Sequence, residues 1–302
     1  MNLVDTSMIL IAALFAIYGL ASAVEYGIMF KMLGRDEPSR AMFTPLWEVT
    51  NVFLVFGFTG LAILFNGALS NLSHQLMGTI GAAIILMLVR ACLALSIFYI
   101  KTHASVPRWQ LWLFAATTFL VPLSFASAGI YLLSGQLFWH TLLGWNLMLA
   151  AVAGLSGVGL LIMNRRANLR QRLAGQLAFC VWLLLLGSVL PLVWQHSRAN
   201  LVLWPLLGLT GLSLLGLGLL GIDLAGRTLV KLWQYAAAVC LATPILLALT
   251  NRPYLIAGKL TLASAWGAQT YGSAIVIGLA VMLPLLALGG WLFIKLLSPV
   301  KK

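Results

Sequence analysis

Apolar residues come in long runs along this chain, and charged residues fall almost wholly between them. A run of about 20 apolar residues, wound as an α-helix, crosses a hydrocarbon layer about 30 Å thick. Nine such spans are predicted, near Ser7–Phe30, Pro45–Ala68, Gln75–Ile100, Trp109–Leu133, Trp139–Met163, Leu173–Trp194, Leu201–Asp223, Leu229–Thr250 and Tyr271–Leu297. The connectors are short. The longest, from Asn251 to Thr270, contains Leu255–Ala268, which is expected to form a short interfacial helix. The predicted fold class is an all-α polytopic membrane protein, a single integral-membrane domain over residues 1–302 with no inserted soluble unit.

Basic residues orient the spans, because cytoplasmic connectors carry the excess of Lys and Arg. One side holds fourteen: Lys31, Arg35, Arg40, Lys101, Arg108, Arg165, Arg166, Arg170, Arg172, Arg227, Lys231, Lys295, Lys301 and Lys302. The other holds Arg198, Arg252 and Lys259, and Arg90 lies inside a span. With an odd number of spans this alternation puts the N-terminus outside and the C-terminus in the cytoplasm. Tryptophans 47, 109, 112, 139, 194 and 233 fall near span ends, as an aromatic belt requires.

Composition agrees. The chain is 62% hydrophobic and 8% charged, more apolar than any soluble domain needs. Its net charge of +12 does not mark a nucleic-acid partner, because the basic residues are spread over short connectors instead of being gathered on one face. The first run lacks a basic flank and a small-residue cleavage site, so no cleaved signal peptide is expected. Cys92, Cys180 and Cys240 sit within apolar runs at no metal or redox spacing and are expected to be small buried hydrophobes.

Candidate chemistry therefore rests on a few charges inside the runs. Of six acidic residues, Glu25 and Glu48 each fall a few positions inside an apolar run, one on either side of the charged loop around Asp36 and Glu37. The hairpin carries both to the same leaflet. A carboxylate at membrane depth is expensive, and a proton relay is a use that needs one. Arg90, within the third span, stays charged and needs a partner, for which Glu25, Glu48 or a bound anion are available. Thr50, Asn51, Asn66 and Ser96 could extend a polar thread. His74, His140 and His196 fall at outer span edges, and there is no covalent-haem motif, P-loop or metal-ligand cluster. No catalytic centre is visible.

The opening hairpin resembles subunit II of the cytochrome bd quinol oxidases. That family carries an aspartate-bearing Asp-Gly element late in its first helix, a Gly-Arg loop, and a Trp-Asp opening of its second helix close to a proline. The matching pieces are Ala23-Val24-Glu25-Tyr26-Gly27, then Leu33-Gly34-Arg35-Asp36-Glu37, then Pro45-Leu46-Trp47-Glu48-Val49-Thr50-Asn51-Val52-Phe53. Leu260 to Leu297 also looks like the family's last helix and its lead-in. The match is clear over about the first hundred residues and faint in the middle. The chain departs from the family in being shorter than typical members, in an apolar residue near Ile28 or Met29 where a second acid is usual, and in Val49-Thr50 in place of Gly-Asn.

The resemblance implies two four-helix bundles plus a peripheral helix, placed here at residues 1–133, 134–250 and 251–302. It implies the cytoplasmic membrane of a bacterium or archaeon. It also implies a larger partner, subunit I, that carries haems b and d and the quinol site, with small single-helix subunits as further possible partners. No haem is carried over to this chain; a structural quinone or lipid in a groove would suit the family. Glu48, Glu25 and, more loosely, Arg90 are then the expected proton-path residues of a non-catalytic subunit in a quinol:oxygen oxidoreductase. Two alternatives stay open: a proton-coupled secondary transporter using the same acids, and a b-type cytochrome membrane anchor using histidines such as His74 and His140.

Overall fold

The computed structural model describes residues 2–33, 37–100, 106–163, 169–189, 203–224, 232–267 and 271–297. Among these residues nine helices have 19 residues or more: α1 Leu3–Leu33, α2 Glu37–Leu64, α3 Leu69–Ala94, α4 Arg108–Ser134, α5 Leu142–Met163, α6 Leu169–Gly187, α7 Leu203–Leu224, α8 Leu232–Thr250 and α10 Gly272–Leu297. Each predicted span overlaps one of them. By length and hydropathy five described segments are able to cross a membrane: α1, Asn66–Phe98, α4, α5 and α8. Thr50–Leu64, Leu173–Gly187, Trp204–Leu220 and Gly272–Pro284 are shorter apolar segments. The chain is a multi-pass, all-α membrane protein.

Helix α1 is the centre. It is apolar all round, as a helix without a solvent face must be, and it packs against α2, α4, α5, α8 and α10. A second set forms α5 against α6, α6 against α7, α7 against α8 and α5 against α8. The two sets meet where α1 crosses α5, and small residues set the distance. A Cβ on Gly159 would lie 2.0 Å from the Ala23 carbonyl oxygen, and one on Gly27 would lie 2.3 Å from that of Gly159. Ala23 and Gly27 are four apart on α1, the small-xxx-small spacing that lets membrane helices touch backbone to backbone.

The connector after α8 corrects the sequence expectation. The described part of Leu255–Ala268 does not form one interfacial helix. Tyr254–Ile256 (β1) and Leu260–Thr261 (β2) pair antiparallel around a turn with Gly258 at φ 66°, and the helical part is four residues long, Leu262–Ala265 (α9), capped by Thr261. A left-handed glycine between short apolar pieces makes a hairpin cheaper than a continuous helix. The hairpin closes over one end of the molecule. Ala257 N and Asn251 Nδ2 both donate to the Leu132 carbonyl near the end of α4, at 3.0 and 2.9 Å. Leu255, Ile256, Leu262 and Ala265 are buried with Met8, Ile11 and Leu14 of α1 and with Leu64 and Phe65 at the end of α2.

One further expectation changes. Cys240 is buried, but Cys92 is exposed and Cys180 half-buried, so Cys92 belongs to a helix face turned out of the protein. Pro122, Pro244 and Pro284 lie inside α4, α8 and α10, while Pro205 is in the first turn of α7, where a missing N–H costs nothing. Pro191 lies outside the described residues.

Candidate functional site

Glu25 sits eight residues before the end of α1, about 12 Å along the axis. Three contacts set its level. Ala23 and Gly27 hold one face of α1 against α5. Tyr26 donates its hydroxyl to the Phe119 carbonyl of α4 and stacks on that ring, with centroids 4.0 Å apart. Phe30 meets the same ring edge-on at 5.6 Å. At about 100° per residue, Glu25 falls on the side of α1 opposite Ala23 and Gly27, and there it meets Arg90 of α3. An Arg90 terminal NH₂ donates to Glu25 Oε2, and the two side chains are 2% and 0% exposed.

Of the partners expected for Arg90, Glu25 is one that it meets. Neither charge could stand alone at this depth, since the desolvation of an isolated ion costs several kcal/mol even after the protein relaxes. Together they are neutral. Glu25 Oε1 has no hydrogen-bond partner, so half of the carboxylate remains available.

The same side of α1 carries Ser22 and Tyr18, three and seven residues before Glu25. Both are buried, and Tyr18 is close enough to feel the charges of Glu25 and Arg90. Ile28 and Met29, where the family usually has a second acid, are buried among Met32, Leu93, Ile97 and Phe114. An apolar residue there has apolar neighbours.

The other predicted residues divide. Glu48 lies on α2, but its side chain is outside the described residues. Thr50 Oγ1 donates to the Leu46 carbonyl of its own helix at 2.8 Å, so it is already satisfied. Asn51 and Ser96 are half-buried. Asn66 is exposed beyond the far end of α2, away from Glu25, and drops out of any polar thread. His74 and His140 are exposed, and His140 Nε2 accepts from the Trp139 indole at 3.0 Å. His103 and His196 are outside the described residues. Among the described residues no buried histidine pair is available to ligate a haem, and no cluster of three His, Cys, Asp or Glu could hold a metal. The described part of this chain does not fit a haem site.

Sequence reasoning missed a second ion pair. Arg252, heading the hairpin connector, bonds Asp5 in the first turn of α1. An acid in the first turn of a helix is a usable signal, being favoured by the helix dipole. Its partner, 247 residues away, is not readable from sequence. Beside the hairpin lies a largely apolar cavity of about 350 Å³, bounded among others by Phe15, Tyr18, Phe125, Trp182, Pro244 and Leu255.

The fold and the pair define a class: an integral-membrane helical subunit organised around a buried carboxylate and guanidinium. Residues 3–296 match the family described as cytochrome bd terminal oxidase subunit II, and the chain belongs to that family. The match therefore runs through the middle of the chain, where the sequence resemblance alone was faint. The fold is similar to a chain of the bd oxidase from Geobacillus thermodenitrificans, with a TM-score of 0.76, 21% identity and 99% of each chain covered. Against that structure the chain is not short. No curated protein matches it. Membership in this family implies a partner, subunit I, in a shared complex.

Proposed function

We propose that this chain stabilises the haem-bearing subunit I of a bd-type quinol oxidase and leads protons toward it from the cytoplasm. The observation that carries the proposal is the Glu25–Arg90 pair, an acid and a base buried where an apolar pair would pack with less cost. In this reading nine helices span the cytoplasmic membrane of a bacterium or archaeon. The C-terminal end of α1 faces the cytoplasm, in line with the basic-residue bias. The helices divide into two four-helix bundles with α10 outside them. Protons enter past Glu48, eleven residues into α2, and reach the free oxygen of Glu25, while Arg90 holds the carboxylate in place. Exposed apolar faces such as Ile84, Ile85 and Leu88 on α3 suit lipid or the partner. The 350 Å³ cavity suits the apolar tail of a quinone or lipid.

The test uses the intact complex. Glu48→Gln, Glu25→Gln and the double variant should slow quinol-driven oxygen consumption while the partner's haem spectrum persists. Glu48→Asp should be milder, because aspartate keeps the same proton chemistry one methylene shorter. Full turnover in all three Gln variants would remove the proton-path reading.

A further inference from the structure

Nine serines and threonines are buried among the described residues: Ser7, Ser22, Thr50, Thr117, Thr118, Ser127, Ser213, Thr243 and Thr250. Seven of them donate to a carbonyl of their own helix, from Ser7 to Leu3 at 2.7 Å to Thr243 to Val239 at 2.7 Å. That is the default for a hydroxyl in a membrane helix, where no bulk water is at hand. Ser22 and Thr118 break it. Their hydroxyl oxygens are shut off from solvent and have no hydrogen-bond partner, and the same holds for Tyr18 Oη and Glu25 Oε1.

Three of these four oxygens share one side of one helix. Tyr18, Ser22 and Glu25 lie at i, i+4 and i+7 on one side of α1. Thr118 precedes Phe119, whose carbonyl and ring fix α4 against Tyr26 of α1. The Tyr18 and Ser22 hydroxyls are close enough to interact, although no bond of ordinary geometry joins them. Buried polar atoms in native proteins are almost always satisfied, by protein or by ordered water, and a buried water typically makes two to four hydrogen bonds. Toward the start of α1 this side continues as Leu14 and Ile11, both buried and apolar, and Tyr18 itself borders the apolar cavity.

We propose that Tyr18, Ser22, Thr118 and the free oxygen of Glu25 build a closed site for ordered water, a hydrated pocket that ends at Tyr18. Water held there donates to Glu25 Oε1 and Ser22 Oγ and accepts from the Tyr18 hydroxyl. The site rests, for its role, on the reading of Glu25 as a proton carrier: the bound water hydrogen-bonds Oε1 as the carboxylate takes a proton from the cytoplasmic side and as it passes that proton on, and the water, Ser22 and Tyr18 end each cycle with the protons they began with. Because the side beyond Tyr18 is apolar, the pocket hydrates Glu25 without opening a leak across the subunit.

An electron cryomicroscopy map of the intact complex, at a resolution that shows ordered water, tests the site directly. A water peak within hydrogen-bonding distance of at least two of the four oxygens is expected, and its loss in Ser22→Ala with Thr118→Val. No peak in the wild-type map overturns the site. Oxygen consumption tests the role. Tyr18→Phe and the Ser22→Ala/Thr118→Val pair should each slow turnover roughly tenfold, the worth of one hydrogen bond in the barrier, with an unchanged haem spectrum. If Glu25→Gln slows turnover and these variants do not, the carboxylate carries protons without this water, and the role assigned here falls. If Glu25→Gln also leaves turnover intact, the proton-path reading itself fails, and the map alone decides whether the water site stands.

Discussion

Replacing Gly159 by alanine should damage this protein far more than the addition of one methyl group suggests. A Cβ at Gly159 would sit 2.0 Å from the Ala23 carbonyl oxygen and 2.9 Å from Gly27 N. An ordinary carbon–oxygen contact is about 3.3–3.6 Å, so α1 and α5 would have to part by roughly 1.3 Å or more. The opposing atoms are backbone, and no rotamer change can relieve them. Overpacking of this kind costs about 1–3 kcal/mol, and with no flexible neighbour the upper end is expected, roughly a hundredfold in the folding equilibrium. Gly19 is the control. It lies on α1, the helix that Gly159 meets, but a Cβ there would meet nothing within 4 Å, so Gly19→Ala should gain the helix propensity of alanine, about 1 kcal/mol. The assay is the thermal unfolding midpoint of the purified complex in one detergent, followed by tryptophan fluorescence. Gly159→Ala should fall by several degrees while Gly19→Ala holds or rises. Equal midpoints for the two would refute the backbone-contact argument. Glu25 lies on the opposite side of α1, so Gly159→Ala should also press Glu25 toward α3 and slow turnover.

Arg90→Leu leaves the Glu25 carboxylate buried without its bonded partner and should cost about 3–5 kcal/mol; adding Glu25→Leu should cost less than the sum of the two single changes, measured as the yield and unfolding midpoint of the assembled complex. The Asp5–Arg252 pair is different, because Arg252 is 37% exposed. Asp5→Asn or Arg252→Gln should cost no more than about 1 kcal/mol, and the difference from wild type should shrink as salt is added.

The helices were legible because apolar runs of about 20 residues have one sensible fate in lipid. The pairing of Glu25 with Arg90 was nearly legible as well, since so few charges lie inside the runs that each had few partners to choose from. The hairpin at Tyr254–Thr261 was not. Short apolar pieces read equally as helix or strand, and the deciding residue, Gly258, is one glycine among 28. The same dilution hides the contact between Gly159 and Ala23, because nothing in a glycine-rich chain marks the glycine that touches a backbone. Ser22 and Thr118 were invisible for another reason. Serine and threonine in a membrane helix bond back to their own carbonyls by default, and a departure from that default is a matter of rotamer, not of sequence.

The position of the ion pair also explains how α3 is held. Helix α3 packs mainly on α4 and exposes much of its surface, with Met77, Ile84, Ile85 and Leu88 open. Apolar side chains on such a helix say little about its rotation, because an isoleucine is as comfortable in lipid as in protein. Arg90 is not. It is 2% exposed, and a turn of α3 by one residue, about 100°, would swing the guanidinium out of its contact with Glu25 toward hydrocarbon. The penalty for that swing exceeds anything the neighbouring aliphatic contacts could supply. The contact with Glu25 therefore helps to key the helix, and α1 offers the matching carboxylate from the centre of the fold. In this protein the cost of burying a charge pair is offset by fixing the rotation of a helix that its apolar residues leave undetermined.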